Sequence, residues 1–221
     1  MDWDVSPITD SWRFLLGGIG ITLALSGLTI ASSLIVGTAI GLGRSYGGRW
    51  LRMVLTFYID SMRAIPVLVV LVWVYFAGPL ATGISVPPFW SASIALTMHI
   101  AAYVAEIVRA GIASVRPGQM RAALALGMSR PQMVAKVILP QALVRMLPAI
   151  GSIISITIKD TAIAATIAVP EFMNRVSTVA GESYQPVPVF TAALIVYFLM
   201  LFPATRLVDM LYGRVAHLGR S

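Results

Sequence analysis

Of the chain's 221 residues, 58% are hydrophobic and 11% charged, against roughly a quarter charged in an ordinary soluble domain, which excludes a fold whose main solvent is water. The net charge of +7 comes from Lys and Arg in short loops between apolar runs, with no basic block carrying interleaved aromatics, and so argues against nucleic acid as a partner. The absence of cysteine removes disulfides, thiolate metal sites and cysteine nucleophiles.

The chain opens with MDWDVSPITD, acidic and without the positively charged start of a signal peptide, so residues 1–13 read as an external segment and the first apolar run as retained. A hydrocarbon core of about 30 Å takes about 20 helical residues. Runs near 14–43, 51–77, 89–113, 144–169 and 187–208 meet that length, predicting an all-α integral membrane protein with five transmembrane helices.

Positive charge sets the orientation, because cytoplasmic loops retain Lys and Arg. Arg44, Arg49 and Arg52 follow the first run; Arg109, Arg116, Arg121, Arg130, Lys136 and Arg145 surround the loop after the third; Arg206, Arg214 and Arg220 follow the fifth. The other side has Arg13 and Arg175 with Asp2, Asp4, Asp10, Glu171 and Glu182. The N-terminus is therefore expected outside, residues 211–221 as a cytoplasmic tail, and 78–88 and 170–186 as external loops, with turns at Gly78-Pro79 and Pro87-Pro88.

Asp60, Arg63, His99, Glu106, Lys159 and Asp160 lie in or beside apolar runs, where a charge costs about 2.5–3.5 kcal/mol on insertion scales. Local pairing offers one reading: Asp60 with Arg63, Glu106 with Arg109, Lys159 with Asp160. A polar path offers another, in which Asp60, Arg63, His99, Lys159 and Asp160 meet the two charges of an amino-acid zwitterion and the positive groups favour an acidic side chain. Arg63 also precedes Pro66, where a helix kinks, and His99 alone has no second histidine to share a metal. His217 reads as solvent-exposed. The glycines at 17, 18, 20, 27, 37, 41 and 43 are read as sites of close helix packing.

The loop at about 114–142 carries Arg121-Ala122-Ala123, then Gly127, then Leu139-Pro140. Gly127 suits a positive φ that ends one short helix, Ser129 caps a second with Pro131 in its first turn, and Pro140 limits its end. This spacing resembles the EAA loop of ABC importer permeases, and the resemblance extends over about 15–210. Met62-Arg63-Ala64-Ile65-Pro66, Ala102-Tyr103 with Glu106, Arg109 and Gly111, and Lys159-Asp160-Thr161 are similar to further segments of that family's polar amino acid branch. Arg121 stands where the family has Glu, which removes any ion pair assigned to that Glu, and Val137 where it has Ile.

The resemblance implies that residues 14–210 form an importer transmembrane domain in a bacterial inner membrane. It implies that Gln119, Arg121, Ala122, Ala123, Gly127, Met128, Ser129, Leu139 and Pro140 couple it to an ATPase dimer. The expected partners are that dimer, a second permease copy or a related permease, an extracytoplasmic amino-acid-binding protein and membrane lipid. No cofactor is expected on this chain, ATP and Mg being on the ATPase, since the chain has no Gly-x-x-x-x-Gly-Lys-Ser/Thr loop. The run Ala122-Ala123-Leu124-Ala125-Leu126-Gly127-Met128 and the segment after Pro66 look most like glutamate/aspartate permeases. Competing readings are a stand-alone carrier or channel for small polar solutes, an intramembrane enzyme such as a serine protease pairing a membrane serine with His99, for which no Gly-x-Ser-x-Gly elbow exists, and a loop that merely rests on the membrane as an amphipathic helix pair.

Overall fold

The computed structural model describes residues 4–215; Asp2, His217 and Arg220 lie outside them. Helices follow one another as α1 (Ser6–Asp10), α2 (Trp12–Tyr46), α3 (Arg49–Ala64), α4 (Val67–Val72), α5 (Gly78–Thr82), α6 (Pro88–Ala113), α7 (Pro117–Ala125), α8 (Arg130–Met133), α9 (Leu139–Asp160), α10 (Phe172–Ser183) and α11 (Pro186–Val215). π-helical turns at Trp73–Ala77 and Val134–Ile138 and a 3-10 turn at Thr161–Ile167 join some of them.

Among the described residues, four helical segments are long and apolar enough to cross a membrane: Trp12–Tyr46, Pro88–Ala113, Arg130–Ile167 and Pro186–Arg214. The expected span at 51–77 is instead two limbs, Arg49–Ala64 and Val67–Thr82, bent by 107°, which makes the fifth crossing if the pair counts as one. Pro66 is the cause. Its ring disfavours the helical region for Ile65, which takes φ −88° and ψ 133°, and it has no N–H to continue the ladder.

α6 is the centre of the bundle: 67% of its apolar window is buried, against 17% for the last span. α2 lies parallel to it because Gly37 and Gly41 admit α6's main chain. A Cβ on Gly37 would stand 2.7 Å from the Ala101 carbonyl oxygen, and one on Gly41 would stand 2.8 Å from that of Ala105. Gly20 and Gly27 face open space, so the packing role read for them does not hold within this chain. The far side of α6 meets α9 at Gly111 and Met146.

Three expectations from local sequence are corrected. Gly78-Pro79 begins α5 directly from the π-turn, and the chain reverses at Gly83, φ 73°. Segment 170–186 is not a loop: it contains α10, whose Phe172, Val176, Val179 and Ala180 are buried against α2 and α11. Pro140 does not end the second short helix. The π-turn before it, where Leu139 N–H reaches back to the Val134 carbonyl, admits the proline, so helix continues from Arg130 into α9.

Candidate functional site

The loop between α6 and α9 is a helix–turn–helix. Gly127 takes φ 80°, its N–H donates to the Leu124 carbonyl at 3.0 Å and Met128 N–H donates to that of Ala123 at 3.1 Å, the paired bonds of a glycine-terminated helix. Ser129 then caps α8 reciprocally: Gln132 N–H donates to Ser129 Oγ at 3.4 Å, and Ser129 N–H donates to Gln132 Oε1 at 3.0 Å.

Val115, Ala123, Met133 and Ile138 bury this unit against α6 and α9. Gln141 bonds to Gln119, and Arg145 donates to the Ser114 carbonyl. Ala123 thus faces inward, whereas Arg121, Ala122, Ser129 and Pro140 are exposed. Leu124 and Leu126 are exposed beside them, Leu126 at 79%. Sequence reasoning missed these two leucines; the available signal was two large apolar residues on either side of Ala125 in a loop otherwise bound for water.

Glu106 anchors the base of the bundle. Arg109 forms the expected pair, with Nη2–Oε1 2.5 Å, and Arg44 of α2 adds a second bond at 2.6 Å to Oε2. Neither of the other local pairs forms, for Asp60–Arg63 and Lys159–Asp160 make no ion pair. Arg63 instead sits 5.7 Å from the Tyr103 ring centroid, a cation–π arrangement. His99 is buried, its ring 5.3 Å from the same tyrosine, with the Met62 main chain against it. Arg63 and His99 therefore meet on Tyr103.

Lys159 is elsewhere. It lines a cavity of about 340 Å³ formed wholly by α9 and α11, with Ser152 and Ser155 on one wall and Thr205 and Asp209 on the other. Asp209 was not singled out from sequence, because it falls just past the fifth apolar run among cytoplasmic charges; its i, i+4 relation to Thr205 was the usable signal. Asp60 is exposed on α3, and Asp160 closes α9 without lining the cavity.

Glu171, read as an external charge, is fully buried at the start of α10. Asn174 N–H donates to its Oε1 at 2.6 Å, and burial pushes its carboxyl above the ordinary range against those main-chain bonds.

Residues 33–217 match the family described as binding-protein-dependent transport system inner membrane component. The glutamine transport system permease protein GlnP of Escherichia coli (strain K12) is 33% identical over 201 residues, covering 90% of this chain and 92% of that protein. The arginine transport system permease protein ArtQ of Bacillus subtilis (strain 168) is 34% identical over 202 residues, covering 91% and 92%. Among solved structures, an amino acid ABC transporter with histidines superposes with TM-score 0.90 at 29% identity, covering 97% of this chain and 100% of that one. The chain belongs to the family of binding-protein-dependent transport system inner membrane components, as an ABC importer permease of the polar amino acid kind.

Proposed function

We propose that this chain is the multi-pass permease subunit of an ATP-driven importer for polar amino acids in a bacterial inner membrane, with glutamate and aspartate as first substrates. The observation that carries the coupling half of this reading is the exposed surface of Arg121, Ala122, Leu124 and Leu126 on a helix–turn–helix whose inner side packs against α6 and α9. Apolar residues exposed at a water-facing end favour a protein partner, here an ATPase dimer that holds ATP and Mg. Gln119, Gly127, Met128, Ser129, Leu139 and Pro140 shape or flank that surface. Because Arg130–Ile167 is continuous helix, a displacement of the loop is passed to the end of the span that bears Lys159 and Asp160.

A second permease copy, or a related permease, and an extracytoplasmic binding protein complete the assembly. Asp60, Arg63, His99, Lys159 and Asp160 contribute to the solute path, and the positive charges of Arg63 and Lys159 support the acidic choice. The names of the relatives favour a second substrate reading, since they transport glutamine and arginine.

The test is substrate-stimulated ATP hydrolysis and uptake in proteoliposomes containing this chain, its ATPase and its binding protein. Stimulation by glutamate or aspartate supports both halves of the proposal. Stimulation by glutamine or arginine instead overturns the acidic choice, and uptake that proceeds without ATPase overturns the importer itself.

A further inference from the structure

Two kinds of feature hold α10, and they oppose each other. Polar bonds tie its start to α2. Glu171, wholly buried, accepts from Thr22 Oγ1 at 3.1 Å, and Arg175 donates from Nη1 to the Phe14 carbonyl at 2.6 Å and from Nε to the Pro170 carbonyl at 2.9 Å. Gly18 admits this close approach, since a Cβ there would stand 2.8 Å from Phe172 Cα. Strained backbone lies at both ends of the same helix. Ala168, just before it, takes φ 59° and ψ 28°, and Tyr184, just after it, takes φ 57° and ψ 23°. Among the described residues these are the only non-glycine positions with positive φ. For an L-residue the left-handed region crowds Cβ against the following carbonyl oxygen, and such a conformation persists only where its surroundings enforce it.

Ala168 also follows directly on Ile167, where the continuous segment that starts at Arg130 ends. A push that travels along that segment meets a strained joint, and beyond the joint come the bonds of α10 to α2. We infer that α10 is a latch on the membrane face opposite the α7–α8 loop, docked on α2 in this structure and released in each transport cycle, with Ala168 and Tyr184 as its hinges, an inference that rests on the importer reading above. Glu171 and Arg175 are its positioning residues. The docked state carries the strain of both hinges and release relaxes it, so the strain lowers the barrier to release. Relieving it should make the protein more stable and the transporter slower. Both hinge residues are exposed, Tyr184 at 90%, so glycine opens no cavity at either.

The test uses this chain assembled with its ATPase and binding protein in proteoliposomes. Ala168→Gly and, independently, Tyr184→Gly are each expected to raise the melting temperature of the complex and to lower ATP-driven uptake about fivefold, equivalent to about 1 kcal/mol on the barrier. A merely structural joint would give the first change without the second. Release itself is read with a single thiol, since the chain contains no cysteine; Val176→Cys places it on the inner face of α10, at a position 1% exposed. A charged methanethiosulfonate added on the α10 side is expected to label it about tenfold faster during turnover than at rest. In that background Arg175→Met raises the resting rate severalfold, and Arg175→Lys restores it. Uptake that is unchanged or faster in both glycine variants, one labelling rate at rest and in turnover, or a resting rate that ignores Arg175→Met overturns the inference while leaving the importer reading intact. Absence of ATP-driven uptake by the parent complex is the separate failure of that reading.

Discussion

Thr22 Oγ donates a hydrogen bond to Glu171 Oε2 at 3.1 Å, joining α2 to the start of α10 across 149 positions of sequence, and the same hydroxyl accepts from Phe172 N–H at 3.0 Å. One threonine thus satisfies a buried carboxyl and a helix-start amide together. Thr22→Val leaves both groups buried and one partner short, an expected loss of about 1–3 kcal/mol. The melting temperature of the detergent-solubilised chain measures it, and a drop within experimental error would show that water replaces the hydroxyl.

Glu171 also makes a pH prediction. Its folded-state pKa lies above the unfolded value because burial disfavours the charge. Its contribution to stability is therefore full below the unfolded pKa and is lost as pH rises through the folded one. Tyr197 of α11 is the titratable group that faces it. Melting temperature should fall from mildly acidic to alkaline pH more steeply in the parent than in Glu171→Gln, while Tyr197→Phe retains the parent's slope. Identical slopes in parent and Glu171→Gln would refute the assignment.

Gly37→Ala and Gly27→Ala form a matched pair on one helix. A Cβ on Gly37 meets Val104 Cβ at 2.6 Å, but one on Gly27 meets nothing within 4 Å. Overpacking costs about 1–3 kcal/mol at the first; helix propensity gains up to about 1 kcal/mol at the second. Opposite shifts in melting temperature are expected, and equal shifts would contradict the close approach of α2 to α6.

Glu106 holds two arginines while about a quarter exposed, 24% by side chain. Its loss should cost between the values for surface and buried pairs, about 1–3 kcal/mol. A double-mutant cycle of Glu106→Gln with Arg44→Met isolates the interhelical bond, and a coupling of zero would mean that Arg109 alone neutralises the carboxylate.

Gly127→Val forces a branched side chain into a left-handed backbone at φ 80°, costing about 1–2 kcal/mol. ATP-driven uptake should fall at least about tenfold, as the barrier to coupling rises by about 1.4 kcal/mol, while the chain still inserts and extracts as a folded protein. Unchanged uptake per inserted molecule would show that the turn does not shape the docking surface.

Local sequence determined much of this protein, because lipid leaves the backbone few options. Apolar runs of span length must be helical, so four spans were legible, although the one expected from 144 begins at Arg130 because the helix runs on through Pro140. Gly127 and Ser129 were equally legible, since a left-handed turn and an N-cap depend on the residue itself. The break at Ile65-Pro66 was visible as a kink, although its angle of 107° depends on what the two limbs pack against. The tertiary structure alone decided the partners. Arg63 left Asp60 for Tyr103, Arg44 joined Glu106 from another helix, Glu171 went from a surface charge to a buried cap, and Asp209 came to share a cavity with Lys159. The physical reason is common to all four. A charge in an apolar span declares that it needs a partner, but which group meets it depends on helix rotation and on contacts between residues tens of positions apart, neither of which any local pattern encodes.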